Sequence, residues 1–457
     1  MSCQGGETAK PSRRGVSSKL HHLVSATSRN VSPTLTLRAV HYDLTTLPNG
    51  LRVITESMPS LRSVALGCWV DTGTRDENDN EAGVSHFLEH LLFKGSEKLS
   101  AREVNETMDA IGAESNAFTS KETTCYWARL LDQDLPVGLD ILAEIIQRPA
   151  FRLHEIDSER QVVVEEINMN DDDPSDVVFE NFSTAVFAGH PLEAPVLGTR
   201  ESIRGMTRDD IHGYWKRRYG TGSVVVAAAG SVDHRQLVEM IDERFGGWSG
   251  EEVEHQHSPV EITPRVNLTM RETEQAHLIL GGPGLHRSDE RRWAFEVLNH
   301  VMGSGMSSRL FQEVREERGL AYAVYGFKLS YADNGAWGVH VGTTPHQTET
   351  AMTVIREELD KVVADGITPE ELERAKGSMR GGLALALEDS NSRMVRLGRD
   401  ELAGMPHLTV DERLEKLENV DLDMVKSVAS DVYGGPTRVM GVVGPFEESE
   451  LDKYLLV

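Results

Sequence analysis

The 457-residue sequence is poor in cysteine, in long apolar runs and in positive charge. Three cysteines, Cys3, Cys68 and Cys125, are too few for a disulfide framework, which favours a reducing compartment and buried apolar positions for Cys68 and Cys125. No run reaches the ~18 consecutive apolar residues of a membrane-spanning helix, so we expect no membrane span. Because 73 acidic residues face only 47 lysines and arginines, a formal net charge of -26, nucleic acid is not an expected partner.

Residues 1–40 differ in composition from the remainder of the chain. They contain six basic residues against one acid, Glu7, together with many serines and threonines, and they lack the apolar core of a secretory signal. We favour a disordered basic tail, because this composition cannot bury a core. The alternative is an organelle transit peptide, which would place the protein in the mitochondrial matrix.

From residue 41 onward, apolar alternation and amphipathic periodicity predict a globular chain with alternating strands and helices. Strands are predicted at residues 51–55, 64–70, 113–119, 123–131 and 223–229, and helices at 135–147, 155–169 and 233–245. The polar stretch at residues 249–262 predicts a linker, in which we favour solvated positions for His255 and His257 over a short metal-binding histidine tract. The predicted organisation is a tail at residues 1–40, a first domain at 41–248, a linker at 249–262 and a second domain at 263–457.

The second half of the sequence repeats the first. Three pairs of segments match at offsets of 210 to 215 residues: 86–90 with 296–300, 155–160 with 369–374, and 224–230 with 439–444. A period of this length is too long for a solenoid unit and predicts two copies of one domain. Because each copy mixes strand hairpins with helices, the predicted fold class is α+β, with two tandem homologous domains that each form a mostly antiparallel sheet flanked by helices.

A candidate metal-binding helix lies within residues 82–95. On a helix, His86 and His90 are four residues apart and share one face, and Glu89 lies near the same face. The neighbouring positions are apolar, and a buried helix has little reason to carry these polar groups unless a polar partner satisfies them. The pattern H-x-x-E-H alone arises by chance in roughly one such chain in twenty, so a third ligand is needed to support the hypothesis.

The predicted helix at residues 155–169 offers that ligand. Glu159 and Glu166 are seven residues apart and therefore share one face, whereas Glu165 points elsewhere. Catalytic zinc uses three protein ligands, which favours His86, His90 and Glu166 as the set. Glu159, two turns earlier, suits a carboxylate that orients a ligand histidine. The alternative interpretation is a solvated acidic helix face.

H-x-x-E-H is the inverted zinc-peptidase signature. With Glu166 following His90 by 76 positions, the sequence resembles the processing-peptidase and pitrilysin/insulysin group, and is most similar to bacterial proteases like the catalytic beta subunit of mitochondrial processing peptidase. The supporting segments are Asp-Thr-Gly-Thr-Arg-Asp-Glu at 71–77, Phe-Lys-Gly at 93–95, Ala-Glu-Ser-Asn-Ala-Phe-Thr at 113–119 and Val-Glu-Glu-Ile at 164–167. The resemblance covers residues 42–445.

The resemblance implies that only the first domain holds zinc. The second copy of the motif offers Glu296, Asn299 and His300, with Arg380 at the position of the glutamate ligand, a set that cannot hold the ion. The resemblance further implies that Arg315 and Tyr322 bind the substrate backbone and stabilise the tetrahedral intermediate. The alternatives are a surface ion pair for Arg315 and a core position for Tyr322.

The expected function is that of a zinc-dependent endopeptidase with one Zn²⁺ per chain and Glu89 as general base. An extended, unfolded or presequence-like peptide would add to the sheet edge at residues 114–119, with Asn116 near the cleaved bond. The resemblance implies a half clamshell that pairs into a homodimer, or a heterodimer with a related chain, in which Arg315 and Tyr322 reach the partner's zinc. The bacterial cytoplasm is the expected location. The net charge of -26 suggests basic peptides as substrates, and the alternative is an acidic surplus spread over the whole surface.

Two other functions remain open. One is implied by the resemblance: a non-catalytic structural or assembly subunit of a processing-peptidase-like or respiratory core complex, which has the fold without the metal. A partner subunit of that kind would carry a long glycine-rich loop, whereas Gly-Gly-Pro-Gly at residues 281–284 predicts a short turn. The third function is a zinc enzyme acting on small molecules, against which the edge-strand segment and the pair Arg315 and Tyr322 argue.

Overall fold

The computed structural model describes residues 42–250, 253, 255 and 258–455, so the tail at 1–40, Cys3 and His257 lie outside the described residues. The strands are β1 Tyr42–Thr46, β2 Arg52–Ser57, β3 Ser63–Val70, β4 Glu114–Thr119, β5 Thr124–Leu131, β6 Val224–Gly230, β7 Arg265–Met270, β8 Ala276–Pro283, β9 Ala321–Ser330, β10 Gly335–Thr343 and β11 Val439–Gly444. The helices are α1 Val84–Leu92, α2 Ala101–Ala110, α3 Leu135–Gln147, α4 Leu153–Asp172, α5 Pro174–Val186, α6 Arg200–Gly205, α7 Arg208–Arg218, α8 His234–Phe245, α9 Arg292–Gly303, α10 Thr348–Asp365, α11 Pro369–Ala386, α12 Ser390–Leu402, α13 Val410–Glu418, α14 Leu422–Val432 and α15 Glu448–Leu451. Each strand and helix bound given from the sequence lies within three residues of the observed one.

The strands form two sheets of closely related topology. The first has the order β1-β2-β6-β3-β5-β4 and the second the order β7-β11-β8-β10-β9. In each sheet one pair is parallel, β2 with β6 and β7 with β11, and the remaining pairs are antiparallel. Without the extra edge strand β1, the first sheet has the order β2-β6-β3-β5-β4. The second sheet has the same order, with each strand number higher by five. The duplicated, mostly antiparallel α+β fold predicted from the sequence is confirmed, whereas the domain bounds at residues 248 and 262 stay a prediction.

One helix from each half of the chain packs on the sheet of the other half. Helix α5 packs on β7, β8 and β11, and helix α12 packs on β2, β3 and β6. Glycine allows the close approach of α5, because a Cβ atom at Gly441 would lie 2.4 Å from the backbone nitrogen of Phe182, and one at Gly281 would lie 2.6 Å from the Phe182 ring. The prediction of a turn at residues 281–284 is therefore wrong in part: Gly281 and Gly282 lie within β8, where the missing side chain makes room for a helix.

The predicted linker is not solvated at His255. Its Nδ1 atom lies 2.8 Å from Oδ1 of Asp76 and its Nε2 atom 3.2 Å from Oδ2 of Asp71, and only 18% of the side chain is exposed. The sequence favoured solvent for this residue because the two carboxylates lie about 180 positions away in the chain. Hydrogen bonds with Asp71 and Asp76 raise the pKa of His255 to about 10, although burial opposes the charge.

This pKa predicts a pH-dependent contribution of His255 to stability. Because the folded pKa lies above the ordinary value of about 6.5, the contribution is complete below pH ~6.5 and is lost as the pH rises through about 10. The difference in unfolding free energy between the wild type and His255→Gln should therefore be largest near pH 6 and shrink toward pH 10. Denaturant titrations across this range measure it, with His154→Gln as a control because the His154 side chain is 75% exposed. A difference that is constant with pH would contradict the charged pair.

Candidate metal centre

Helix α1 lies between helix α4 and the strands β4 and β5. Its apolar residues, among them Phe87, Leu88 and Leu91, are buried in the core of the first half. Since these side chains occupy the inner face, the polar residues of the helix are turned toward α4 and β4. The amphipathic pattern of the short helix thus fixes which way its histidines point.

Three potential ligands from two helices converge at this contact. The Nε2 atoms of His86 and His90 lie 3.2 Å apart, and Oε2 of Glu166 on α4 lies 3.6 Å from the first and 3.4 Å from the second. An ion bound tetrahedrally at zinc–ligand distances of 2.0–2.1 Å separates its ligand atoms by about 3.3 Å. The triangle of donor atoms therefore has the size that a zinc ion requires, and two imidazoles with one carboxylate match the ligand types of catalytic zinc. Within the described ranges, this is the one group of three or more such side chains.

Glu159 orients one of the two histidines. Its Oε1 atom lies 2.9 Å from Nδ1 of His90, and its Oε2 atom accepts from Nζ of Lys94 at 2.6 Å. Such a carboxylate fixes the tautomer and the ring orientation of a histidine whose other nitrogen faces a metal. Burial and the proximity of His90 lower the pKa of His86 to about 4, which keeps it in the neutral form that binds metal. Burial opposes the charge of His90 as well, but Glu159 and Glu166 outweigh it and raise its pKa.

Glu89 stands beside the donor triangle without belonging to it. Its Oε2 atom accepts a hydrogen bond of 2.6 Å from Oγ1 of Thr119 at the end of β4. Burial and the charge of Glu166 raise the pKa of Glu89, although Thr119 and His90 act in the opposite direction. Sequence reasoning missed Thr119 as a partner, and the available signal was its place as the last residue of the predicted edge strand.

The contacts described for the proposed substrate-binding residues do not include His86, His90 or Glu166. Asn116 is exposed on β4, which is the last strand of its sheet, and its Oδ1 atom accepts from the backbone nitrogen of Ala117. Arg315 lies in a π-helical segment, Phe311–Glu316, and its guanidinium lies 4.8 Å from the centre of the Tyr322 ring on β9. Tyr322 is 78% exposed, so the alternative of a core tyrosine is wrong. The contacts of Arg315 are with its own segment and Tyr322, not with the donor triangle.

The second half has no such triangle in the part of the chain that the structure describes. On α9, the counterpart of α1, Glu296 pairs with Lys328 at 2.8 Å. Arg380 on α11 pairs with Glu418 at 2.9 Å. A lysine thus lies beside the counterpart of His86, and an arginine takes the place of Glu166. Two related halves, of which the first brings a His–His–Glu set together, agree with the arrangement that the inverted zinc-peptidase signature predicts.

The chain belongs to the insulinase family, peptidase family M16. Residues 52–200 match the family described as Insulinase (Peptidase family M16), and residues 205–379 match Peptidase M16 inactive domain. A Streptomyces coelicolor protein named as an uncharacterized zinc protease is 43% identical over 417 residues, which cover 90% of this chain and 91% of the relative. A Bacillus subtilis protein of the same description is 40% identical over 388 residues, which cover 85% and 95%.

Solved structures show the same fold. The crystal structure of a protease from Helicobacter pylori superposes with a TM-score of 0.83 at 21% identity, covering 88% of this chain and 99% of the other. A Pseudomonas fluorescens structure titled as a peptidase M16 inactive domain also gives 0.83, at 19% identity, over 89% and 98%. Among the described residues, no helix combines the length and the apolar character needed to cross a membrane.

Proposed function

We propose that this protein is a zinc-dependent endopeptidase that hydrolyses unfolded or presequence-like peptides bound in extended form. The observation that carries the proposal is the donor triangle of His86, His90 and Glu166 with Glu89 beside it. All four side chains come from α1 and α4, so rigid helices hold the chemistry. The zinc-protease names of the relatives support the same activity.

In this proposal His86, His90 and Glu166 hold the ion, and Glu159 fixes the His90 ring. Bound zinc supplies Lewis acidity, which polarises a peptide carbonyl and lowers the pKa of water. Glu89 accepts the proton of the attacking water and delivers it to the leaving amine. Thr119 restricts the Glu89 carboxylate through its hydrogen bond.

The edge of the first sheet supports the proposed mode of substrate binding. Strand β4 pairs with β5 on one side and ends the sheet on the other, and Glu114, Ser115 and Asn116 are exposed. An extended peptide that adds to this edge forms backbone hydrogen bonds, which select for an unfolded segment rather than for a sequence. Because Thr119 of the same strand contacts Glu89, a peptide paired along β4 is led to the general base, with Asn116 facing it.

Two chains form the proposed active enzyme. Arg315 and Tyr322 stack on each other at β9, the free edge of the second sheet, and contact no residue of the donor triangle of their own chain in the described structure. We place them at the zinc site of a partner chain, either a second copy or a related subunit. The Streptomyces coelicolor and Bacillus subtilis relatives are bacterial proteins, which supports a bacterial cytoplasmic enzyme over one of the mitochondrial matrix.

A mixed pool of unfolded peptides tests the function directly. Purified protein with one equivalent of zinc should cleave the pool, a zinc chelator should abolish cleavage, and restored zinc should return it. Mass spectrometry of the products gives the cleavage rule and shows whether basic peptides are preferred. A protein that binds zinc but cleaves nothing as a homodimer would require a related partner chain. A protein that neither binds zinc nor cleaves would instead be the non-catalytic assembly subunit.

A further inference from the structure

The segment that precedes the metal helix is used by neither the donor triangle nor Glu89. It contains a short 3-10 turn, Thr74–Asp76, followed by Glu77. The Glu77 carboxylate accepts the backbone N–H of Gly83 at Oε2 and that of Ser85 at Oε1, both at 2.7 Å. These N–H groups belong to the start of α1, where the helix itself offers them no acceptor.

Helix α1 has no capping side chain of its own. Its N-cap residue is Gly83, which has a left-handed backbone with φ of 86°. A Cβ atom at this position would lie 2.7 Å from the carbonyl oxygen of Leu197, so the sequence cannot place a serine or aspartate there without moving the backbone. Glu77 therefore takes the place of an N-cap side chain. Its carboxylate accepts N–H groups at the start of α1, although the residue lies outside the helix.

The two histidines are held in different ways. His90 is oriented directly by Glu159. The Nδ1 atom of His86 is buried and has no hydrogen-bond partner among the described residues, so no side chain orients this ring through that nitrogen. The position of His86 instead depends on the backbone of the first helical turn, and His86 directly follows Ser85, whose N–H Glu77 accepts.

The turn that carries Glu77 is itself fixed. Arg75 is only 4% exposed at its side chain and pairs through Nη2 with Oδ2 of Asp333 and through Nη1 with Oε1 of Glu122, both at 2.6 Å. Asp333 lies in the turn between β9 and β10 of the second half. The two ion pairs of Arg75 thus fix the segment from which the Glu77 carboxylate reaches α1.

We propose that Glu77 is a positioning residue for the metal centre, which holds the first turn of α1 where His86 meets His90 and Glu166. The proposal rests on the zinc binding of the proposed function. It predicts that Glu77 acts on the affinity for zinc and not only on the stability of the fold.

Zinc titration of Glu77→Gln against a chromophoric chelator tests this proposal. Glutamine has nearly the same shape but sets an NH₂ group against one of the two N–H donors. We expect the dissociation constant for zinc to rise by about 10- to 100-fold, the range found when outer partners of metal ligands are lost. The visible spectrum of the Co²⁺-loaded protein should change with it, because a displaced His86 alters the ligand geometry.

Glu371→Gln is the matched control. Glu371 accepts the backbone N–H of Thr368 at the start of α11 at 2.8 Å, so it caps a helix in the second half. Both variants should lower the melting temperature of the zinc-free protein, but Glu371→Gln should bind zinc like the wild type. Equal effects of the two variants on zinc affinity, or wild-type affinity in Glu77→Gln, would overturn the proposal.

Two further results are informative. If Glu77→Gln does not fold, Glu77→Asp takes its place, since it keeps the carboxyl group but is one methylene too short to reach both N–H groups. Wild-type zinc affinity in that variant would equally overturn the role of Glu77. If the wild type itself binds no zinc, the proposed function fails together with this inference, whereas a zinc-binding wild type with an unaffected Glu77 variant leaves the proposed function standing.

Discussion

Substitution of Glu89 by glutamine should lower kcat/KM for peptide hydrolysis by about 10²- to 10⁴-fold while one zinc per chain remains bound. Glutamine keeps an oxygen that can accept the hydrogen bond of Thr119, so the helix and the donor triangle should persist. What is lost is the group that accepts a proton from water. Steady-state cleavage of a fluorogenic peptide and metal analysis of the same sample measure the two quantities together.

Glu165→Gln is the control for this prediction. It makes the same chemical change one residue from Glu166, but Glu165 is exposed on α4 and takes no part in the donor triangle. Its activity should stay at the wild-type level. Cleavage by Glu89→Gln at the wild-type rate would show that another group is the base.

A mixed dimer that carries Glu89→Gln in one chain and Arg315→Ala in the other should recover about half of the wild-type activity, although each variant alone is inactive. If Arg315 reaches across to the partner's zinc, one of the two centres in this dimer has both an intact Glu89 and an intact Arg315. The other centre lacks both. Differently tagged chains, co-expressed and purified through both tags, provide the mixed dimer for the peptide assay.

The same two substitutions placed on one chain, paired with a wild-type chain, give the decisive comparison. Across-chain action leaves each centre with one defect, so this dimer should be inactive. Action within a chain would leave the wild-type centre intact and reverse both outcomes. An active monomer in sedimentation experiments would also exclude the proposed partner-chain role of Arg315 and Tyr322.

Local periodicity explains why much of the fold could be predicted. Helix α3 matches its predicted residues 135–147, and β3 and β5 were predicted to within one residue, because apolar alternation and helical spacing act over a few positions. The convergence of His86, His90 and Glu166 can also be predicted from the sequence, since a seven-residue spacing on α4 puts Glu159 and Glu166 on one face. Their role as ligands stays a prediction that zinc titration can test.

The features that could not be predicted from the sequence depend on contacts between residues that are far apart in the chain. His255 was assigned to solvent because nothing near it in the chain indicates Asp71 and Asp76 as partners. Gly281 was assigned to a turn because the helix that needs its missing side chain comes about 100 residues earlier. Thr119 was passed over because its hydrogen bond to Glu89 follows from how β4 lies against α1. In each of these three cases, no neighbouring residue in the sequence indicated a partner far away in the chain.

The reciprocal packing of α5 and α12 has a consequence for how such an enzyme moves. Each helix packs on the sheet of the opposite half. At the α5 contact, the glycines of the sheet leave no room for a side chain between helix and sheet. Separation of the two halves would expose the sheet faces that α5 and α12 cover. A hinge within the chain would therefore expose much of its apolar core to water. We therefore expect each chain to move as one rigid body, so that the proposed dimer would open at the interface between its two chains.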